Sequence, residues 1–344
     1  MGNKINKSAA IILTMTAMIS GCNMPLVTNP TEVAIEPSAA PPPTEVAIQH
    51  EVIPIDLPAE RSSHAGDHDS SKSASNKQAP GGDRFTFGEY ERPFNANTMD
   101  VYFPALDIFD TLTHQDDLWI FGSITVKGLD ENNTLSGEYA MELDLDINGK
   151  GDWLILVKKP GSTEWTTDGV QVWQDTNKDV GGSSPAYADE NSSSSDGFDH
   201  LLFEAGQGDD PDSAWARISS TDPNTIELAV KRSLLDDPDR YMIGMWAGTD
   251  LDPSIFDLND HMTHEQAGAA IRGYEIFYPI KELAELDGAC RMAVGFAPKG
   301  DEPGLCKTLV PVLPGQPLDP AAPICSNSCQ YGQEPYPACT CWPG

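Results

Sequence analysis

Apolar and polar residues alternate over short runs through most of the chain after Arg84. "LWIFGSITV" (Leu118 to Val126) puts Leu118, Ile120, Ile124 and Val126 on one face and Trp119 and Phe121 on the other. "YAMELDLD", "DWLILV", "GVQVW", "TIELAVKR" and "YMIGMWA" follow the same two-residue period, each bounded by Gly, Asp, Asn or Pro. That period and punctuation are those of β-strands. Helical patterning is brief: "THEQAGAAI", where Thr263 and Gln266 are spaced as a capping box, and "IKELAEL". Many short strands between loop-rich connections predict an all-β fold, one antiparallel β-sandwich over residues 84–308 with one or two short helices. Its loops are long, notably "DTNKDVGGSSPAYADENSSSSDGFD", and long loops in a compact domain are usually functional or need something to order them.

Residues 1–21 have a different pattern. Lys4 and Lys7 precede the apolar run "AAIILTMTAMI" and then "ISGC". The run is shorter than a bilayer-spanning helix needs and fits a cleaved signal. Ser20 and Gly21 before Cys22 resemble the lipobox of bacterial lipoproteins. The resemblance implies cleavage before Cys22 and a diacylglycerol thioether there, with palmitate as an expected acyl chain; an ordinary signal with an incidental Cys is the alternative. Residues 22–83, rich in Pro, Ala, Ser and Thr with "PTEVAI" at Pro30 and again at Pro43, carry too little apolar surface to repay ordering and are expected to be a disordered tether. "HAGDHD" (His64 to Asp69) within it has metal-type donors, but its setting reads as a solvated polar linker.

Charge narrows the function classes. There are 53 Asp and Glu against 21 Lys and Arg, and loss of Lys4 and Lys7 with the signal takes the formal charge from −32 to −34. Nucleic-acid binding requires clustered cations, so that class is excluded; a soluble, cation-attracting surface is not. Setting Cys22 aside leaves an even six: Cys290, Cys306, Cys325, Cys329, Cys339 and Cys341. Outside the cytoplasm that count favours disulfides. The last four lie in a Cys-rich tail (325–344) beyond a Pro-rich linker (309–324), and zinc is the competing reading there, against which their spacing argues.

"ELDLDINGKGDWLILV" (Glu142 to Val157) ends a strand with carboxylates. Asp144, Asp146 and Asn148 occupy positions one, three and five, Gly149 the sixth, the Lys150 carbonyl the seventh and Asp152 the ninth. Calcium takes six to eight oxygens, and an EF-hand loop draws them from positions one, three, five, seven and nine. Position twelve is Ile155 where that loop has Glu, and the flanks are strands, so the pattern is that of a calcium loop on a β-hairpin. Asp175, Asn177 and Asp179 repeat the alternation with Val180 in place of glycine; Asp196, Asp199, Asp209, Asp210 and Asp212 lie nearby in sequence as further donors or as plain turn residues. The expected role of the metal is structural: it would offset repulsion among the carboxylates.

The order "YFPALDIFDTLTHQDDLWIFGSITV", a loop, then "YAMELDLDINGKGD" resembles the DOMON and family-9 carbohydrate-binding-module sandwiches over residues 95–250. The resemblance implies a haem or sugar ligand and, for the family-9 modules, structural calcium. No His or Met here can be assigned as a haem ligand from sequence. Trp165 and Trp173, flanking a polar loop, are the candidate stacking platforms for sugar rings, although most sandwich tryptophans are core. No nucleophile-elbow or zincin motif is present, His261 and His264 in "HMTH" read as surface or capping residues, and clustered exposed acids bind cations rather than hold the proton a glycosidase needs. The expectation is therefore a surface lipoprotein, not an enzyme, whose calcium-stabilised sandwich binds an extracellular ligand, with a glycan as the candidate class. A structural or adhesive envelope protein is the alternative, and an extracellular hydrolase stands behind both.

Overall fold

The computed structural model describes residues 48–76, 83, 89–181, 195–256, 261–262, 264–268, 280–299 and 302–306. Cys22, the expected lipidation site, and the cysteines from Cys325 onward lie outside them. Among the described residues, twelve strands form two antiparallel sheets. The five-stranded sheet runs β1 (Ser63–Gly66), β3 (Ile108–Gln115), β4 (Trp119–Val126), β10 (Thr225–Lys231), β9 (Ala214–Ile218). The seven-stranded sheet runs β2 (Tyr90–Arg92), β12 (Leu286–Val294), β11 (Tyr241–Gly248), β5 (Glu138–Asp144), β6 (Trp153–Lys158), β7 (Val170–Gln174), β8 (His200–Glu204). The expected sandwich is present. Among the described residues no helix is long and apolar enough to cross a membrane.

The core lies between the sheets. Ile120, Ile124 and Val126 of β4 meet Tyr139, Met141 and Leu143 of β5 and Ile243 and Met245 of β11, all buried. The alternation along each strand causes this, because every second side chain points inward. Gly122 falls on the same inward parity of β4, and a Cβ there would lie 2.8 Å from Met245 and 3.0 Å from Met141; the missing side chain is what admits the two thioethers.

Both sheets are also covered on the outside, which the apolar content of β4 on its second face requires. Trp119 and Phe121, with Trp215 and Ala229, are buried beneath Val52, Leu57 and Trp165. The cover is the segment expected to be tether. His50 Nδ1 bonds Asp212 Oδ1, and the Glu51 and Val52 amides both donate to Asp212 Oδ2, all at 2.8 Å. Residues 63–66 then pair with β3, Ser63 opposite Thr113. The sandwich thus includes residues 48–76 as a strap. Composition argued against ordering of this segment because its few apolar residues are too sparse alone, but they close over aromatics supplied by the sheet. Full burial of a Phe side chain is worth roughly 1.5–3 kcal/mol of transfer free energy before ordering costs, and that of the larger Trp more.

The outer face of the seven-stranded sheet is covered by loops: Phe198, Leu251, Phe256 and Leu283 pack on Ala140, Leu154, Leu156 and Trp246. The helical expectation for "IKELAEL" is corrected here. Residues 281–285 are extended or bent, with Lys281 N–H on Ala267, Glu282 N–H on Gln266 and Glu285 N–H on Phe94 carbonyls. Leu283 and Leu286 are drawn into the outer cluster, and the backbone bonds go to neighbouring segments instead of along a helix. The "THEQAGAAI" signal does give a one-turn α1, His264–Ala267, while Thr263 lies outside the described residues. Cys290 and Cys306 form a disulfide, tying β12 to the segment after it.

Candidate metal centre

Strand β5 ends on Asp144, and the turn to β6 is organised by its carboxylate. Oδ1 accepts the Ile147 amide at 2.6 Å and the Asn148 amide at 3.2 Å; Oδ2 accepts the Gly149 amide at 2.7 Å. To deliver those amides Ile147 takes φ 62° and Gly149 φ 87°. A β-branched residue in the left-handed region is strained, so this conformation is held from outside the residue. Asp152 closes the turn from the far side, its Oδ2 accepting the Leu145 amide at 2.7 Å. One carboxylate oxygen from each of Asp144, Asp146 and Asp152 lies within 4.8 Å of the others. Hard-cation coordination needs such convergence. Asn148, the fifth-position residue, turns its Oδ1 to the Lys150 amide at 2.8 Å, within the turn itself.

The second loop copies the backbone of the first. Asp175 Oδ1 accepts the Lys178 amide at 2.7 Å and Oδ2 the Val180 amide at 3.0 Å, and Lys178 takes φ 63°, as Ile147 does. Its acids do not converge, however. Asn177 Oδ1 accepts the Asp179 amide and its Nδ2 donates to Asp196, while Asp199 receives the Thr176 amide and hydroxyl. Asn177 and Asp179, with Thr176, therefore tie the loop to Asp196 and Asp199, while Asp175 holds the loop's own amides. What the loop contributes to the first cluster is a cation: Lys178 Nζ lies 3.2 Å from Asp146 Oδ2 and 3.8 Å from Asp152 Oδ1.

Electrostatics follow from depth. Burial pushes Asp144 up to about 6 against the ordinary 3.8, opposed by the Gly149 amide and the Arg291 charge. Burial, then the neighbouring Asp146 charge, raises Asp152. The hydrogen bond to Asp146 and the Asp152 charge raise Lys178. Glu142, one step back along β5, is not part of the centre: it is buried, with Arg291 on Oε1 and the Trp246 indole on Oε2, both at 2.8 Å. Gly151 packs against Glu142 and Phe198, where a Cβ would collide with both.

Of the tryptophans singled out from sequence, Trp165 is half-buried under the strap; its indole donates to the Ile55 carbonyl at 2.6 Å and the Arg217 guanidinium lies over its ring at 4.5 Å. Trp173, also half-buried, packs on the outer cluster and donates to Gln171. Asp210 pairs with Lys231 and Asp212 with the strap, which leaves Asp209 exposed. His261 meets the Ser195 hydroxyl at 3.1 Å. A second group of three carboxylates, Asp67, Glu91 and Asp287, also lies within 4.8 Å. Its members are far apart in sequence, and only Asp67, in "HAGDHD", fell in a stretch with a metal-type pattern.

Fold and site together define an antiparallel β-sandwich with two converged carboxylate groups. No protein-family model, no curated protein sequence and no solved structure matches the chain.

Proposed function

We propose that the chain is an extracytoplasmic lipoprotein, anchored in the membrane through Cys22, whose sandwich uses calcium at the Asp144–Asp152 turn to fix a loop edge that holds an external ligand, with carbohydrate the first class to test. The observation that carries the metal is the convergence of Asp144, Asp146 and Asp152 on a turn whose strained Ile147 backbone needs an external hold. Calcium suits this all-oxygen, partly exposed donor set, since it accepts water alongside carboxylate ligands. The exposed side chains beside it, Asp146, Asn148, Thr176 and Asn177, are the hydrogen-bonding groups that sugar hydroxyls require.

Calcium titration of the full chain, followed by heat of binding and by thermal unfolding, tests the metal. The expected result is a rise in Tm with calcium that is lost in D146N/D152N; an identical Tm with calcium and with chelator defeats it. Lys178 favours a second reading, in which its ammonium is the resident cation of the cluster. Lys178→Met separates the two: tighter calcium binding if the ammonium competes with the ion, and a lower Tm even in saturating calcium if the ammonium takes its place. A glycan array on the folded chain tests the ligand. Absence of any glycan signal favours the adhesive envelope reading, which the covered rings of Trp165 and Trp173 also support.

A further inference from the structure

The second carboxylate group lies where the strap meets the sandwich. Asp67 follows β1, Glu91 is the middle residue of β2, and Asp287 is the second residue of β12. Glu91 and Asp287 are 2 % and 0 % exposed, and one oxygen from each of the three lies within 4.8 Å of the others. Asp107, also 0 % exposed, borders them: the amide of the next residue, Ile108, donates to Asp287 Oδ2 at 2.7 Å. Three carboxyls thus meet where the strap joins the sandwich, with Asp107 close by.

Their hydrogen bonds do not complete the set. Asp287 takes the Ile108 and Gly288 amides, and Glu91 Oε2 takes the Ser70 hydroxyl at 2.7 Å. Asp67 accepts the His68 amide on Oδ1, while its Oδ2 is cut off from solvent with no donor on it; the side chain meets the Glu91 carboxyl, with which it shares a hydrogen bond only when one of the two carries a proton. Asp107 accepts from Tyr102 on Oδ2, and its Oδ1 is likewise buried and unpartnered. No Lys or Arg among the described residues pairs with Asp67, Glu91 or Asp287; Lys127 reaches Asp69 on the rim at 2.9 Å. Burial first, and then mutual repulsion, pushes Glu91 and Asp287 well above the usual carboxylate range. Buried carboxylates with solvent-excluded, unpartnered oxygens need a proton or a cation among them.

We propose that Asp67, Glu91 and Asp287, with Asp107 beside them, form a buried divalent-cation site, suited to calcium, that locks residues 63–72 onto the sandwich. The donors are all oxygen, as a hard cation prefers, and the Ser70 hydroxyl is at hand as a neutral ligand. Because Asp67 comes from the strap and the others from the sandwich, ion binding and strap docking are one event. This site is separate from the Asp144–Asp152 turn and does not depend on it.

The test uses the full chain carrying D146N and D152N, so that the turn contributes no calcium. At pH 7.5, calorimetry with calcium chloride is expected to show one remaining site, and calcium to slow trypsin cleavage after the exposed Arg61 and Lys72 at least tenfold. Adding E91Q and D287N removes both effects. These amides relieve repulsion without changing volume, so the variant is expected to fold; if circular dichroism shows otherwise, E91Q alone is read, with a tenfold or greater loss of affinity. The site is overturned by no calcium heat and no protection in D146N/D152N, by calcium binding unchanged on E91Q, or by protection that follows acidification and ignores calcium, which would make protons the bridging species.

Discussion

Arg291→Met isolates what seats the acidic turn. Glu142 is 1 % exposed and spends its two oxygens on Arg291 and the Trp246 indole. Methionine fills much of the arginine's volume but leaves the carboxylate buried with one neutral donor. Removing one partner of a buried pair costs about 3–5 kcal/mol, because the other charge remains desolvated. For a domain of this size each kcal/mol moves Tm by roughly 2–4 °C, so R291M is expected to melt roughly 6–20 °C lower. The cost lies in the stranded charge, so E142Q/R291M, whose Gln carbonyl still accepts from Trp246, is expected to return to within about 1–2 kcal/mol of wild type. Urea unfolding followed by tryptophan fluorescence reads all four corners of the cycle. A single-variant loss under about 1 kcal/mol, or a double variant no better than R291M, would refute the assignment of Glu142 to the interior.

Three further outcomes follow. Reduction of Cys290–Cys306, residues 16 apart, releases a loop whose closure is worth about 3 kcal/mol, and is expected to lower Tm by roughly 6–12 °C on a reducing-gel-verified sample. Asp212→Ala leaves three strap donors unpaired, and native-state hydrogen exchange is expected to show the Glu51 and Val52 amides losing protection while β11 keeps its own. In chelator, Asp107 and Asp144 are pushed by burial to about 7 and about 6 from 3.8; the fold therefore favours their protonated forms, and that contribution is full below about pH 4 and lost as pH rises through 6 and 7. A chelated chain whose stability rises between pH 5 and 7.5 would contradict the burial of these two carboxyls.

The sandwich was legible because period-two alternation survives in most of its strands, although irregular registers in β3 and β12 interrupt it. Less visible was what covers the outsides. The second apolar face of "LWIFGSITV" announced a missing layer, but nothing in the composition of residues 48–57 identified them as that layer, since His50 and Val52 gain their value only against Asp212 and Trp215. "IKELAEL" carries a helical period, yet its leucines serve a loop whose amides bond elsewhere. The turn at Asp144 was readable because all its donors are local. Its copy at Asp175 carries the same alternation with Val180 in place of glycine, and it differs further because residues 195–199 take up its side chains. The Asp67, Glu91 and Asp287 group has no local pattern: pairing of β2 with β12 and of β1 with β3 assembles it.

The two acidic groups share one physical problem, and its size limits the answers. Holding Asp144 ionised at neutral pH costs about 3 kcal/mol, from its displacement to about 6. An ion bound with the roughly 10⁻⁴–10⁻³ M affinity of extracellular calcium modules returns only about 0.4–1.4 kcal/mol at about 1 mM calcium. A single weak site therefore cannot repay that cost, and the Lys178 ammonium reaches Asp146 and Asp152 from the solvent side, where screening keeps its contribution small. Either the turn binds calcium more tightly than such modules do, or the core between the sheets carries the deficit. The buried group sharpens the same choice, because among the described residues no such lysine pairs with Asp67, Glu91 or Asp287. Within the fold, a cation at that junction does the most for stability where the carboxylates are deepest.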